Sequence, residues 1–177
     1  MSDVLARAGA VLDEVRRAVA TVDPDDVAAL LAAVGAAQAL YFDARGRSGL
    51  VARALAMRWM HLGLEVHVAG ETVTPAIGPD DLLICLSSSG RTGGPLANAR
   101  VARSQGARVG VLTGAPDSPL AAAADIVVAV PRVGSAQHAG SLFEQTCLVL
   151  GDAMCGTFQQ SGAIPHAALD RRHANLL

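Results

Sequence analysis

Leu82-Leu83-Ile84-Cys85-Leu86 runs without a polar break into Ser87-Ser88-Ser89-Gly90-Arg91-Thr92. An apolar run of this length, with no alternation, fits a central strand buried on both faces. Short apolar runs flank it at spacings that predict strands near 39–43, 65–69, 108–112 and 126–130. Helical patterns fill the intervals, roughly 48–62, 93–105, 118–123 and 141–159. Strands separated by helices require right-handed parallel crossovers, hence an α/β fold: an open five-stranded parallel sheet covered by helices on both faces.

Two further helices are predicted ahead of the sheet. Val4, Ala8, Val11, Leu12, Val15 and Val19 recur at helical spacing. Asp23-Pro24-Asp25-Asp26 then supplies a capping Asp, a Pro at the first helical position and acids in the first turn. The expected organisation is one domain over 1–177, with helices in 1–36, the α/β core in 37–160 and a tail in 161–177. From Pro165 to Leu177 the tail reads as a short, partly basic helix whose two closing leucines suit docking on another surface, such as a second subunit.

Composition narrows the functional classes. The chain has 177 residues, 51% of them hydrophobic, and a formal charge of −2. No basic run favours nucleic acid or an anionic membrane. The charged N-terminal stretch excludes a signal peptide there, and no segment reaches about 18 uninterrupted apolar residues. Cys85, Cys147 and Cys155 all lie in apolar stretches, which points to reduced thiols and a cytoplasmic location. Five scattered histidines form no metal-ligand spacing.

Ligands of open parallel sheets bind beyond the carboxyl ends of the strands. Ser87-Ser88-Ser89-Gly90-Arg91-Thr92 stands at such an end and opens a helix. Its hydroxyls and backbone N–H groups, with the helix's positive end, suit an anion without a metal. Ordinary turn chemistry with a helix cap is the competing reading.

Asp43-Ala44-Arg45-Gly46-Arg47-Ser48-Gly49 follows the first strand. A dinucleotide fingerprint fails there, because Ala44 stands where a glycine is required, and no Gly-Lys-Ser/Thr occurs in the chain. Arg47 and Ser48 instead suit a second contact to a small phosphorylated ligand, provided the first and third strands are neighbours about 4.8 Å apart.

Ser141-x-x-Glu144 has the spacing of a capping box, which is the favoured reading. The same spacing also holds a carboxylate at a helix start, where it can take a proton from carbon. His61 lies 13 residues beyond Ser48 on one predicted helix, or roughly 20 Å along the axis. It either acts in a neighbouring subunit's site or is a core or surface histidine, the commoner case.

Gly46-Arg47-Ser48-Gly49-Leu50, Met57-Arg58-Trp59-Met60-His61-Leu62-Gly63, Gly70-Glu71-Thr72-Val73-Thr74-Pro75, Ser87-x-Ser89-Gly90-x-Thr92, Gly140-Ser141-Leu142-Phe143-Glu144-Gln145 and Arg172-His173-Ala174-Asn175-Leu176 together resemble the 6-phospho-3-hexuloisomerases. These enzymes belong to the sugar isomerase (SIS) fold group, and the resemblance spans nearly the whole chain. It implies a three-layer αβα sandwich with flavodoxin-like strand order. It also implies reversible conversion of 3-hexulose 6-phosphate to fructose 6-phosphate, no cofactor, and tetramers with sites at subunit interfaces.

Carried over by motif, Ser48, Ser87, Ser89 and Thr92 would hold phosphate, with Arg47 and Ser88 beside them. Glu144 would be the acid/base and His61 its assistant, and Glu71 and His173 would be further candidates. Ser88 and Ala44 depart from glycines of the pattern, each adding a side chain where backbone approaches phosphate. Another phosphosugar aldose–ketose isomerase, or a sugar-phosphate-binding module without catalysis, are the alternatives.

Overall fold

The computed structural model describes residues 2–130 and 134–176. Seven helices and five strands are assigned among them: α1 (Ser2–Val19), α2 (Pro24–Ala36), β1 (Ala39–Ala44), α3 (Gly46–His61), β2 (Glu65–Val68), β3 (Leu82–Ser87), α4 (Gly93–Ser104), β4 (Arg108–Thr113), α5 (Pro119–Ala122), β5 (Ile126–Ala129), α6 (Ser141–Ser161) and α7 (His166–Asp170). The sheet is parallel throughout, in the order β2-β1-β3-β4-β5. Strand β3 is central and buried along its whole length. Its register with β1 sets Ala44 opposite Leu86, so the loops after both strands open at the same sheet edge.

Alternate strand residues feed two apolar layers, as strand geometry dictates. Leu40, Phe42, Ile84, Leu86 and Val128 pack under α2, α3 and α6. Tyr41, Leu83, Cys85, Val109 and Val111 pack under α4 and α5. Trp59 and Phe158 meet edge-to-face at 5.5 Å, tying α3 to α6, and α1 lies on α6 through Val15, Ala18 and Leu142. The start of α2 is built as the sequence predicts: Asp23 accepts from Asp25 N at 2.9 Å, and Pro24 follows it.

One local expectation holds only in part and another fails. The tail is helical only over His166–Asp170; Arg172 then turns back to donate to Ala168 O at 3.0 Å. Leu176 is 92% exposed, and Leu177 lies outside the described residues. The capping box is also absent. Gly140, not Ser141, is the N-cap of α6, and no side-chain cap bond forms. Arg47 from α3 draws Glu144 sideways, and the Ser141 hydroxyl turns instead to His138 O at 2.9 Å.

Among the described residues, no helix is long and apolar enough to cross a membrane.

Candidate active site

Beyond the carboxyl ends of β1 and β3 lies a cleft of about 380 Å³, lined by Arg45, Ser48, Leu86, Ser87, Ser88, Ser89, Thr92, Ala139 and Gly140. It gathers Ser48, Ser87, Ser88, Ser89 and Thr92, the hydroxyl residues expected at the phosphate. The turn after β3 is wired internally. Ser87 Oγ bonds to Thr92 Oγ1 at 3.0 Å and accepts from Gly90 N at 3.1 Å. Ser89 Oγ accepts from Arg91 N at 3.3 Å.

Gly90 is required here. Its φ is +60°, and a Cβ would come 1.8 Å from Ser118 Oγ at the start of α5. Thr113 Oγ1 donates to Ser87 O at 2.8 Å, bracing the turn from β4. Hydroxyls, a helix start and Arg45 give the cleft the donors that a multiply charged oxyanion requires.

Glu144 sits beside that cleft in the first turn of α6, with a side chain only 13% exposed. Arg47 Nε lies 2.8 Å from its Oε2, and Arg47 Nη1 donates to Ser141 Oγ at 3.2 Å. The Arg47 contact is close enough for an ion pair but off the N–H line, so the otherwise buried Oε2 accepts no hydrogen bond. The other oxygen, Oε1, lies toward Gly140 at the cleft, and an ionised carboxylate placed there can accept a proton.

The preceding loop is anchored from far away in sequence. Glu14 of α1 accepts from Ser135 Oγ at 2.7 Å, Ala136 N at 3.0 Å and Gln137 Nε2 at 3.0 Å. The Ser135, Gln137 and Ala136 bonds, in that order, lower the Glu14 carboxyl from 4.5 to about 2. Gln137 Nε2 reaches on to Gln145 Oε1 at 2.9 Å, joining this clamp to α6.

Other candidates lie elsewhere. Glu71 pairs with Arg53 at 3.4 Å and lines a separate, mostly apolar cleft with Tyr41, Thr74 and Asn98. His61 is buried at the end of α3 and stacks on His173 at 5.2 Å between centroids. The two histidines are thus together, but roughly 20 Å along α3 from the phosphate end. Burial first, then His173 and Arg58, hold the His61 imidazole below its ordinary value.

Ala44 points into the apolar layer beneath α3, while Ser88 does line the cleft. Among the described residues, no group of three or more His, Cys, Asp and Glu side chains is arranged around a metal site.

Sequence reasoning passed over two residues. One is Glu14, whose partners lie 121 to 123 positions away. The other is Arg45, whose ion-pair partner is Asp43, two residues back on the strand. An acid at the strand's end with a base two residues on was the available signal.

Residues 36–149 match the SIS domain family, and the chain is a SIS-domain protein. The 3-hexulose-6-phosphate isomerase of Mycobacterium gastri is 43% identical over 182 residues, covering 98% of this chain and 92% of that protein. A protein of the same name from Bacillus subtilis (strain 168) is 31% identical, covering 94% and 95%. A crystal structure from Methanococcus jannaschii, described as inferring a molecular function of 3-hexulose-6-phosphate isomerase, superposes with a TM-score of 0.85 at 29% identity, covering 94% of this chain and 98% of that one. The chain belongs to the 3-hexulose-6-phosphate isomerase family.

Proposed function

We infer that the protein interconverts 3-hexulose 6-phosphate and fructose 6-phosphate through a 2,3-enediolate, the isomerisation that follows formaldehyde fixation on ribulose 5-phosphate. The observation that carries this reading is the half-paired carboxylate of Glu144 beside a serine-lined anion cleft. Ser48, Ser87, Ser88, Ser89 and Thr92 bind the phosphate, which is remote from the reacting carbons and supplies binding energy and register. Glu144 removes the proton on C2 of the 3-ketose and returns it to C3, moving the carbonyl from C3 to C2. Arg47, already at the Glu144 carboxylate, stabilises the enediolate oxygens.

With its ketone at C3 and O6 phosphorylated, the hexulose cannot close a five- or six-membered ring. Ring opening therefore matters only for fructose 6-phosphate in reverse.

His61, with His173 beside it, acts in the site of a neighbouring subunit, as a neutral imidazole that donates a hydrogen bond. Its distance from the cleft of its own chain supports this assignment. The assembly is a tetramer; exposed Leu50 and Met57 on α3 and Val4, Leu5 and Leu12 on α1 offer it apolar surface. Three buried, unpaired cysteines favour a cytoplasmic location. Glu71, in the separate cleft with Tyr41 and Asn98, is the remaining candidate for a substrate contact.

The test is a coupled assay with a hexulose-phosphate synthase, formaldehyde and ribulose 5-phosphate. Fructose 6-phosphate should accumulate only when this protein is added. Formation of the hexulose phosphate with no onward conversion contradicts the reading.

A further inference from the structure

Asp43, the last residue but one of β1, is a fully buried carboxylate. Burial pushes its carboxyl up, and two donors oppose that: Asn98 Nδ2 at 2.7 Å on Oδ2, and Arg45 Nη1 on Oδ1. A buried charge of this kind is retained only when its partners are well placed, and here the partner points outward. Arg45 is 46% exposed and lines the serine cleft.

One edge of the guanidinium is committed to Asp43 and, at 3.0 Å, to Ala44 O. Its Nε and Nη2 make no hydrogen bond with the other described residues. They lie over the first turn of α4, where a Cβ on Gly94 would come 2.7 Å from Nη2, 2.8 Å from Nε and 2.9 Å from Cζ. The absence of a side chain at Gly94 is what lets the cation sit against a helix start.

We propose that Arg45 is a substrate-binding residue, a guanidinium fixed by Asp43 and Asn98 so that its free N–H groups grip the phosphomonoester in the serine cleft. This rests on that cleft being the phosphate site of the reaction inferred above. A planar cation held on one edge and donating from the other loses little freedom on binding. Asp43 and Asn98 are positioning residues and touch no substrate. Arg47 is spoken for by Glu144, so the two arginines divide the work: Arg45 binds phosphate and Arg47 serves the reacting carbons.

The experiment is calorimetric titration of fructose 6-phosphate into the wild-type protein and into Arg45→Met, Arg45→Lys, Gly94→Ala and Asp43→Asn variants, with folding checked by thermal melts. Arg45→Met should weaken binding by about tenfold or more, and Arg45→Lys should recover part of the loss. Gly94→Ala, which suits a helix and displaces the guanidinium, should weaken binding in the same direction even if Asp43→Asn fails to fold. Wherever Asp43→Asn folds, adding it to Arg45→Met should cost nothing further. If the wild type binds and a folded Arg45→Met binds within about twofold of it, the inference is overturned and the cleft stands. If the wild type itself does not bind the phosphosugar, the functional reading fails with it.

Discussion

The turn after β3 and the loop before α6 border one cleft, yet they are held by opposite means. Ser87 bonds to Gly90 and Thr92, and Ser89 to Arg91, all within five residues of sequence. The loop carrying Gly140 toward Glu144 hangs on Glu14, more than a hundred residues away. The first draws most of its bonds from its own segment, with Thr113 of β4 as an outside brace. The second is correct only when α1 has docked on α6. Binding and chemistry are thus assigned to parts with different supports, and each can be damaged alone.

Glu144→Gln should separate them most sharply. Losing the proton acceptor should cut kcat by about 10²–10⁴-fold while KM for the phosphosugar changes little; steady-state kinetics read both. A variant that turns over like the wild type removes Glu144 from the reaction.

Gly90→Ala attacks the other side. A Cβ driven onto Ser118 Oγ should destabilise the fold by about 1–3 kcal/mol, seen as a lower urea midpoint. The surviving folded protein should have a raised KM. An unchanged midpoint means that the turn is softer than its contacts imply.

Glu14→Gln tests the long-range clamp. The carboxylate keeps its three donors only when ionised, and a displaced loop should lower kcat by about tenfold, less than the loss of Glu144 itself. The pH dependence has a definite sign. A carboxyl lowered from 4.5 to about 2 on folding stabilises the protein fully above pH 4.5, and loses that contribution as pH falls toward 2. The stability gap between wild type and Glu14→Gln should therefore narrow between pH 5 and pH 3 in denaturant titrations. A constant gap contradicts the clamp.

Ser141→Ala should have the smallest effect. A capping serine costs about 0.5–2 kcal/mol when lost. With Gly140 as the N-cap and no side-chain cap bond, the loss should stay below about 0.5 kcal/mol. A full capping penalty would restore the capping box.

What could be read from the chain follows the same division. Leu82-Leu83-Ile84-Cys85-Leu86, the Asp23-Pro24 helix start and the serine turn are local patterns, and local patterns survive in the structure. The strand order followed from the family motifs; spacing alone yields a parallel sheet without an order. Ser141-x-x-Glu144 misled because its spacing is equally local, while the deciding partner, Arg47, arrives from another helix. Glu14 was invisible for the same reason. Its donors are assembled by the packing of α1, and no periodicity marks a carboxylate that will be buried against a distant loop. Arg45 lay in plain sight two residues from Asp43, but reading it required knowing that the strand's end is buried while its successor loop is open.

Incubation with fructose 6-phosphate in deuterium oxide, followed by proton NMR, bears most directly on the chemistry assigned to Glu144. The account predicts deuterium at C3, the carbon next to the C2 carbonyl from which the 2,3-enediolate forms, and none at C3 with Glu144→Gln. Exchange at C1 would identify an aldose–ketose isomerase, and no exchange at either carbon would leave a binding module; either result contradicts it.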